Sequence, residues 1–108
     1  MNRVILVITC LPDVESATLL ARKIIEEQAG ACVNQLSPAI STYRWKGNVE
    51  TATEIPLLIK TTRSAYERLE QLIMKHHPYE LPEIIAVPVD TGSAAYLKWV
   101  ASETGTES

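Results

Sequence analysis

The densest run of potential ligands in the chain is His76-His77-Pro78-Tyr79-Glu80-Leu81-Pro82-Glu83. Imidazole is a common ligand for copper and zinc, and carboxylates such as Glu80 and Glu83 can complete a shell of that kind. A helix end followed by a proline-braced turn could hold them in place. Adjacent residues on a helix point about 100° apart, so the two histidines do not form the i, i+4 pair that a helix-borne site uses. On residue chemistry alone a packing and capping role carries more weight. His76 continues the apolar face of Leu69, Leu72 and Ile73, while His77 meets the negative pole of the helix end. Cys10 stands where a first strand meets a helix start, a position that can lower a thiol pKa and create a soft ligand. Small buried thiols are the commoner case, for Cys10 and equally for Cys32.

Other side chains suggest contacts more than chemistry. Tyr43 and Trp45 share one face near the tip of a long hairpin, where an aromatic pair is more often an interface anchor than a stacking platform. Glu50 and Glu54 on the return arm could serve as acids or ligands, although exposed β carboxylates more often solvate an edge, and Lys60 and Arg63 could pair with them or with an anion. The sequence lacks a glycine-rich phosphate loop, an H-E-x-x-H, a G-x-S-x-G and a C-x-x-C, so an enzyme is not expected. RNA-recognition modules need exposed aromatics on central strands, and Val4 to Thr9 and Pro56 to Thr61 contain none. An acylphosphatase-like loop would need glycine and arginine after the first strand, where Thr9-Cys10-Leu11-Pro12-Asp13 has neither.

These side chains must be positioned by a small fold. With 108 residues and 46% hydrophobic content, the chain fits one domain and no second core. A net charge of -3 with scattered Lys and Arg argues against nucleic acid as a partner. The apolar run Val4 to Ile8 is too short for a signal-peptide core or a membrane span, which gives the expectation of a soluble, cytoplasmic chain with reduced cysteines.

The stretch Ala31 to Thr62 reads as two β arms folded at Trp45-Lys46-Gly47-Asn48-Val49, with a Gly-Asn turn and a bend at Ser37-Pro38. Each arm is longer than one small domain can cover. Val4 to Thr9 predicts a central strand. Asp13 caps a helix with apolar positions Ala17, Leu20, Ala21, Ile24, Ile25 and Gln28, closed by Gly30. Ser64-Ala65-Tyr66-Glu67 predicts a capping box for a second helix, which Pro78 stops. Glu83 to Asp90 predicts a last strong strand, and Ser93 opens a C-terminal helix carrying Tyr96, Leu97, Trp99 and Val100. The polar tail, from about 103 to 108, is expected to fray. Two split β-α-β units make an α+β, ferredoxin-like βαββαβ sandwich with an extended central hairpin and a C-terminal helix, spanning 1–108. Both helices cover one sheet face, and oligomerisation is the simplest way to bury the other.

Ala31-Cys32-Val33-Asn34, Ser41 to Gly47, Glu54, Lys60-Thr61, His76-Pro78-Tyr79 with Pro82-Glu83-Ile84, and Tyr96 before Trp99 resemble in order and spacing the CutA divalent-cation tolerance proteins. The resemblance runs from Val4 to about Ser102. It implies a cytoplasmic homotrimer, similar in assembly to the PII signalling proteins, with the long hairpins and Tyr43 and Trp45 between subunits. It also implies tolerance of copper and other divalent metals, with no reaction attached. By this resemblance the copper ligands would be His76, His77 and a cysteine ending the first strand; Glu80 and Glu83, read from residue chemistry, are spare carboxylates beside them. Aligned on Pro12-Asp13, that cysteine position is Thr9, and Cys10 follows it. Two functions stay open: a trimer that binds copper or a similar metal weakly, and a PII-like signalling or scaffolding trimer with a small anionic ligand or a protein in its intersubunit clefts.

Overall fold

The computed structural model describes residues 3–105. The elements in order are β1 (Val4–Leu11), α1 (Val14–Glu26), β2 (Cys32–Gln35), β3 (Ala39–Trp45), β4 (Asn48–Thr62), α2 (Tyr66–His76), β5 (Ile85–Pro88) and α3 (Ala94–Glu103). The sheet runs β2-β4-β1-β5, and β3 pairs with the outer part of β4. All pairings are antiparallel. At 15 residues, β4 is long enough to serve both the domain and the projecting ribbon. The protomer is accordingly elongated, with extents of 45 × 26 × 23 Å.

Strand alternation builds the core. Ile5, Val7 and Leu11 of β1 and Ile55, Leu57 and Ile59 of β4 point to the face covered by Ala17, Leu20 and Ile24 of α1 and Leu69, Leu72 and Ile73 of α2. Each large aliphatic side chain removed from water there contributes about 1.5–3 kcal/mol. The other face carries Leu6, Ile8 and Cys10, with β5 adding Ile85 and Val87, which are exposed. The strand expected over Glu83 to Asp90 is therefore a four-residue exposed edge. Pro82 precedes it and Pro88 is its last residue, and neither can donate to a ladder.

Three local features differ from the sequence reading. The ribbon turns at Lys46-Gly47, with φ of 49° and 84° and with Trp45 facing Asn48, in place of the Gly-Asn turn. Positive φ at both residues is what a right-twisted two-residue hairpin requires. Helix α1 ends at Glu26, and Gln28 stands beyond it at φ 57°. Gly30 is needed for a different reason from helix closure: a Cβ there would lie 2.8 Å from Ile24 Cγ2 and 2.9 Å from Ile59 Cγ2. At α2 the cap position is Ala65, without a side-chain cap. Thr62 Oγ1 accepts from the Ala65 N–H at 3.3 Å, so the turn before the helix is held from the end of β4.

Asp13 caps α1 as expected, accepting from the Ser16 N–H at 2.8 Å, and Ser93 accepts from the Tyr96 N–H at 3.3 Å. The frayed tail does not start at 103. Thr104 is buried, its hydroxyl donates to Val100 O at 3.0 Å, and Arg68 donates to its carbonyl at 3.0 Å. Arg68 also reaches Glu27 O and Gln28 O, tying the ends of α1 and α3 together. Residues 106–108 of the expected tail lie outside the described residues.

Candidate functional site

Register decides where the first candidate points. β1 continues through Leu11, and Cys10 pairs with Pro56 while Thr9 pairs with Leu57. Thr9 therefore enters the helix-covered core, fully buried, with no hydrogen-bond partner for its hydroxyl among the described residues. Cys10 faces the open side, half-buried. The same alternation carries that side along β4 through Pro56, Glu54 and Ala52. It then crosses to Ser41, Tyr43 and Trp45, because Ala39 pairs with Glu54, Ser41 with Ala52 and Tyr43 with Glu50. After α2 the chain returns over this surface. Pro78, Tyr79, Glu80, Leu81 and Glu83 join Cys10, Tyr43, Trp45 and Glu54 around a cavity of about 820 Å³.

Carboxylates set the electrostatics of the cavity. Burial, then the charges of Glu83 and Glu54 and a hydrogen bond to Glu83, push the Cys10 thiol up to about 11. Burial also raises the Tyr79 phenol, with a hydrogen bond to Glu54 and the Glu54 charge adding to it. At neutral pH both acids keep their protons in the neighbourhood of these carboxylates. The lowered thiol pKa that a strand-to-helix junction could give Cys10 is therefore reversed, because Cys10 lies inside the strand beside two carboxylates.

His77 lies under this wall. Its Nε2 is 2.7 Å from Cys10 O, and its Nδ1 accepts the Tyr79 N–H at 3.2 Å. A backbone N–H on Nδ1 leaves the ring proton on Nε2, which donates to the Cys10 carbonyl. The ring is 8% exposed and packs 4.8 Å from the Tyr79 ring. Burial lowers its pKa, with the Cys10 carbonyl and Glu54 opposing the shift. Both nitrogens are thus engaged within the fold. His76 ends α2 on the exposed side.

The structure brings Cys10, Glu54, Tyr79 and Glu83 together, and it joins His77 to the backbone of Cys10 while the thiol faces the cavity. It does not bring His76, His77 and the Cys10 thiol to one point, and Glu80 lies exposed on the rim. Among the described residues, no three of His, Cys, Asp and Glu stand close enough to share a metal ion. The donor set therefore does not fit a closed metal centre within one protomer. The sequence reading weighed Glu54 as an acid or ligand but favoured an edge role, and it gave Tyr79 no chemistry of its own. The available signal was parity: Glu54 is two residues from Pro56, the partner of Cys10, and shares its face.

An antiparallel sheet with two helices on one face and split β-α-β connections defines the ferredoxin-like class of α+β proteins, here with a projecting ribbon and a third helix. Residues 5–103 match the family described as CutA1 divalent ion tolerance protein, and the chain belongs to that family. It is 39% identical over 97% of its length to the divalent-cation tolerance protein CutA of Thermus thermophilus, all of which is covered. To the Danio rerio CutA homolog it is 42% identical over 90% of its length, spanning 64% of that protein. Among solved structures, CutA from Xylella fastidiosa superposes with a TM-score of 0.92 at 43% identity, covering 94% of this chain and 98% of that one. CutA1 from Oryza sativa gives 0.91 at 37% identity, covering 94% and 93%.

Proposed function

We propose that this chain acts in the cytoplasm as a homotrimeric divalent-cation tolerance protein that binds copper or a similar ion weakly and carries out no catalysis. The observation that carries the reading is the Cys10 thiol turned onto the open face, in the cavity that Glu83 also lines. Family membership supplies the divalent-cation context. One thiol and one carboxylate make a pair of donors and not a shell. The thiol must also lose its proton before it can bind a metal. Both facts favour low affinity and tighter uptake as pH rises. His76, exposed at the end of α2, makes none of the bonds that hold His77 among the described residues and could add a donor only from there.

Calorimetric titration of the pure protein with copper tests this. Uptake should be weak, should release protons, and should fall at least tenfold in Cys10→Ser and in Glu83→Gln. If both variants give the wild-type isotherm, the Cys10 assignment is wrong. Replacing His76 and His77 together by alanine should weaken copper less than Cys10→Ser does, while lowering stability through His77. A PII-like role with a small anionic ligand is disfavoured at this cavity, where Glu54, Glu80 and Glu83 face a single arginine, Arg44.

A further inference from the structure

The open sheet face is charged at its two ends and apolar between them. Register fixes which side chains lie there: Cys10 pairs with Pro56 and Cys32 with Lys60, so the even-numbered residues of β4 share the side of the Cys10 thiol. Among the strand residues on that side, Glu50, Glu54 and Lys60 carry charge, and Lys60 is the one cation. Pro56 and Leu58 separate Glu54 from Lys60 along β4, and Leu6 and Ile8 of β1 continue the apolar strip.

Neither end is neutralised within one protomer. Glu54 is half-buried at the base of the ribbon and shares the cavity with Glu80 and Glu83. Lys60 is half-buried toward the far end of β4, about 20 Å away at the usual strand rise, where no ion pair with Glu54 can form. Its Nζ donates to the neutral Asn34 Oδ1. The one ion pair among the described residues joins Arg22 to Glu26 on α1.

Self-association through this face takes both charges further out of water. A buried charge without a counter-ion is strongly destabilising, whereas a paired one is tolerated. In a cyclic trimer the contacts run head to tail, so a patch on one copy meets a different patch on the next. The acidic end of the face is thereby free to meet the basic end.

We propose that Glu54 of one protomer receives Lys60 of the partner subunit, so that a second copy of this chain closes the carboxylate cavity with an ammonium group. The carboxylate accepts from the lysine N–H in a charge-assisted bond. This pairing rests on the proposed trimer and fixes how its subunits are set against one another.

Treating the wild-type protein with a carbodiimide, which joins an amine to a carboxylate where the two touch, tests the contact directly. Covalent multimers should appear on a denaturing gel, with the link mapped by mass spectrometry to Lys60 and Glu54. Lys60→Arg keeps the charge but does not react, so it should lose the link and keep the assembly. Lys60→Glu and Glu54→Lys should each weaken assembly at least tenfold in light scattering over a concentration series, and the two changes combined should restore it. Circular dichroism of the single variants separates lost assembly from lost folding, and the wild-type link stands without them. A wild-type trimer whose link maps to another pair, or a double variant no better assembled than either single one, would overturn the pairing and leave the trimer standing. A monomeric wild type would reject both together.

Discussion

His77 braces two segments distant in sequence, with one ring nitrogen on the Cys10 carbonyl and the other on the Tyr79 N–H. It thereby holds the wall of the cavity against β1. Losing both bonds from a buried ring leaves a carbonyl and an N–H to find other partners, at a cost of about 1–3 kcal/mol. His77→Ala should lower the melting temperature accordingly. The pH dependence has a definite sign. Burial depresses the folded pKa of His77, so below about 6.5, the ordinary imidazole value, the unfolded chain binds a proton that the folded chain resists. Stability conferred by neutral His77 is present above that pH and is lost as pH falls through the folded value. Thermal melts of wild type and His77→Gln between pH 8 and 5 check this. The wild type should lose more stability on acidification, and parallel curves would show that His77 does not titrate with folding.

At the scale of elements, two glycines separate close packing from backbone conformation. Gly30 joins α1 to β2 where Ile24 and Ile59, both fully buried, leave no room for a Cβ. Gly30→Ala must displace core methyl groups and should cost about 1–3 kcal/mol. Gly47 closes the ribbon at φ 84° with no atom within 4 Å of a built Cβ. Gly47→Ala therefore carries only the backbone penalty for a left-handed residue, about 1–2 kcal/mol. Chemical denaturation of the two variants should show the larger loss at Gly30. It should also show a ribbon that tolerates Gly47→Ala without loss of the domain. The reverse order would mean that the turn, and not the packing of α1 on β4, limits stability.

For the whole molecule, the ribbon leaves apolar surface that one protomer does not cover. Ile40 is 78% exposed and Val49 68%, and Tyr43 is exposed on the opposite face of the ribbon. On the open sheet face Ile85 and Val87 are also exposed. A chain with this much unpartnered apolar area on a sheet face and a projecting hairpin is suited to self-association. The proposed trimer should scatter light as three chains of 12.0 kDa each. Because folding and assembly are linked, its melting temperature should rise with protein concentration. Trp45→Ala should lower that temperature and shift the assembly toward smaller species. A monomeric mass at micromolar concentration would reject the assembly.

Much of the architecture follows from short-range pattern. Continuous apolar residues at Val4 to Thr9, the 3.6-residue spacing behind Asp13, the apolar face of Leu69, Leu72 and Ile73, and the alternating arms on either side of Gly47 each depend on neighbours a few positions away. Tyr43 and Trp45 share a face by parity alone. The candidate site was less legible because it rests on where an element stops and on what crosses it from elsewhere. One residue of strand length decides whether Cys10 or Thr9 enters the core, since successive strand side chains point to opposite faces. Continuation of β1 to Leu11 turns the thiol onto the open face. The bond from His77 to Cys10 spans 67 positions, and the meeting of Tyr79 with Glu54 depends on the return of the chain after α2. Periodicity contains neither fact. By itself the sequence determined the elements, their sided patterns and the surplus length of the ribbon. Only the packed sheet decided which side chains share the cavity, because register and chain crossing are set by long-range hydrogen bonds and burial.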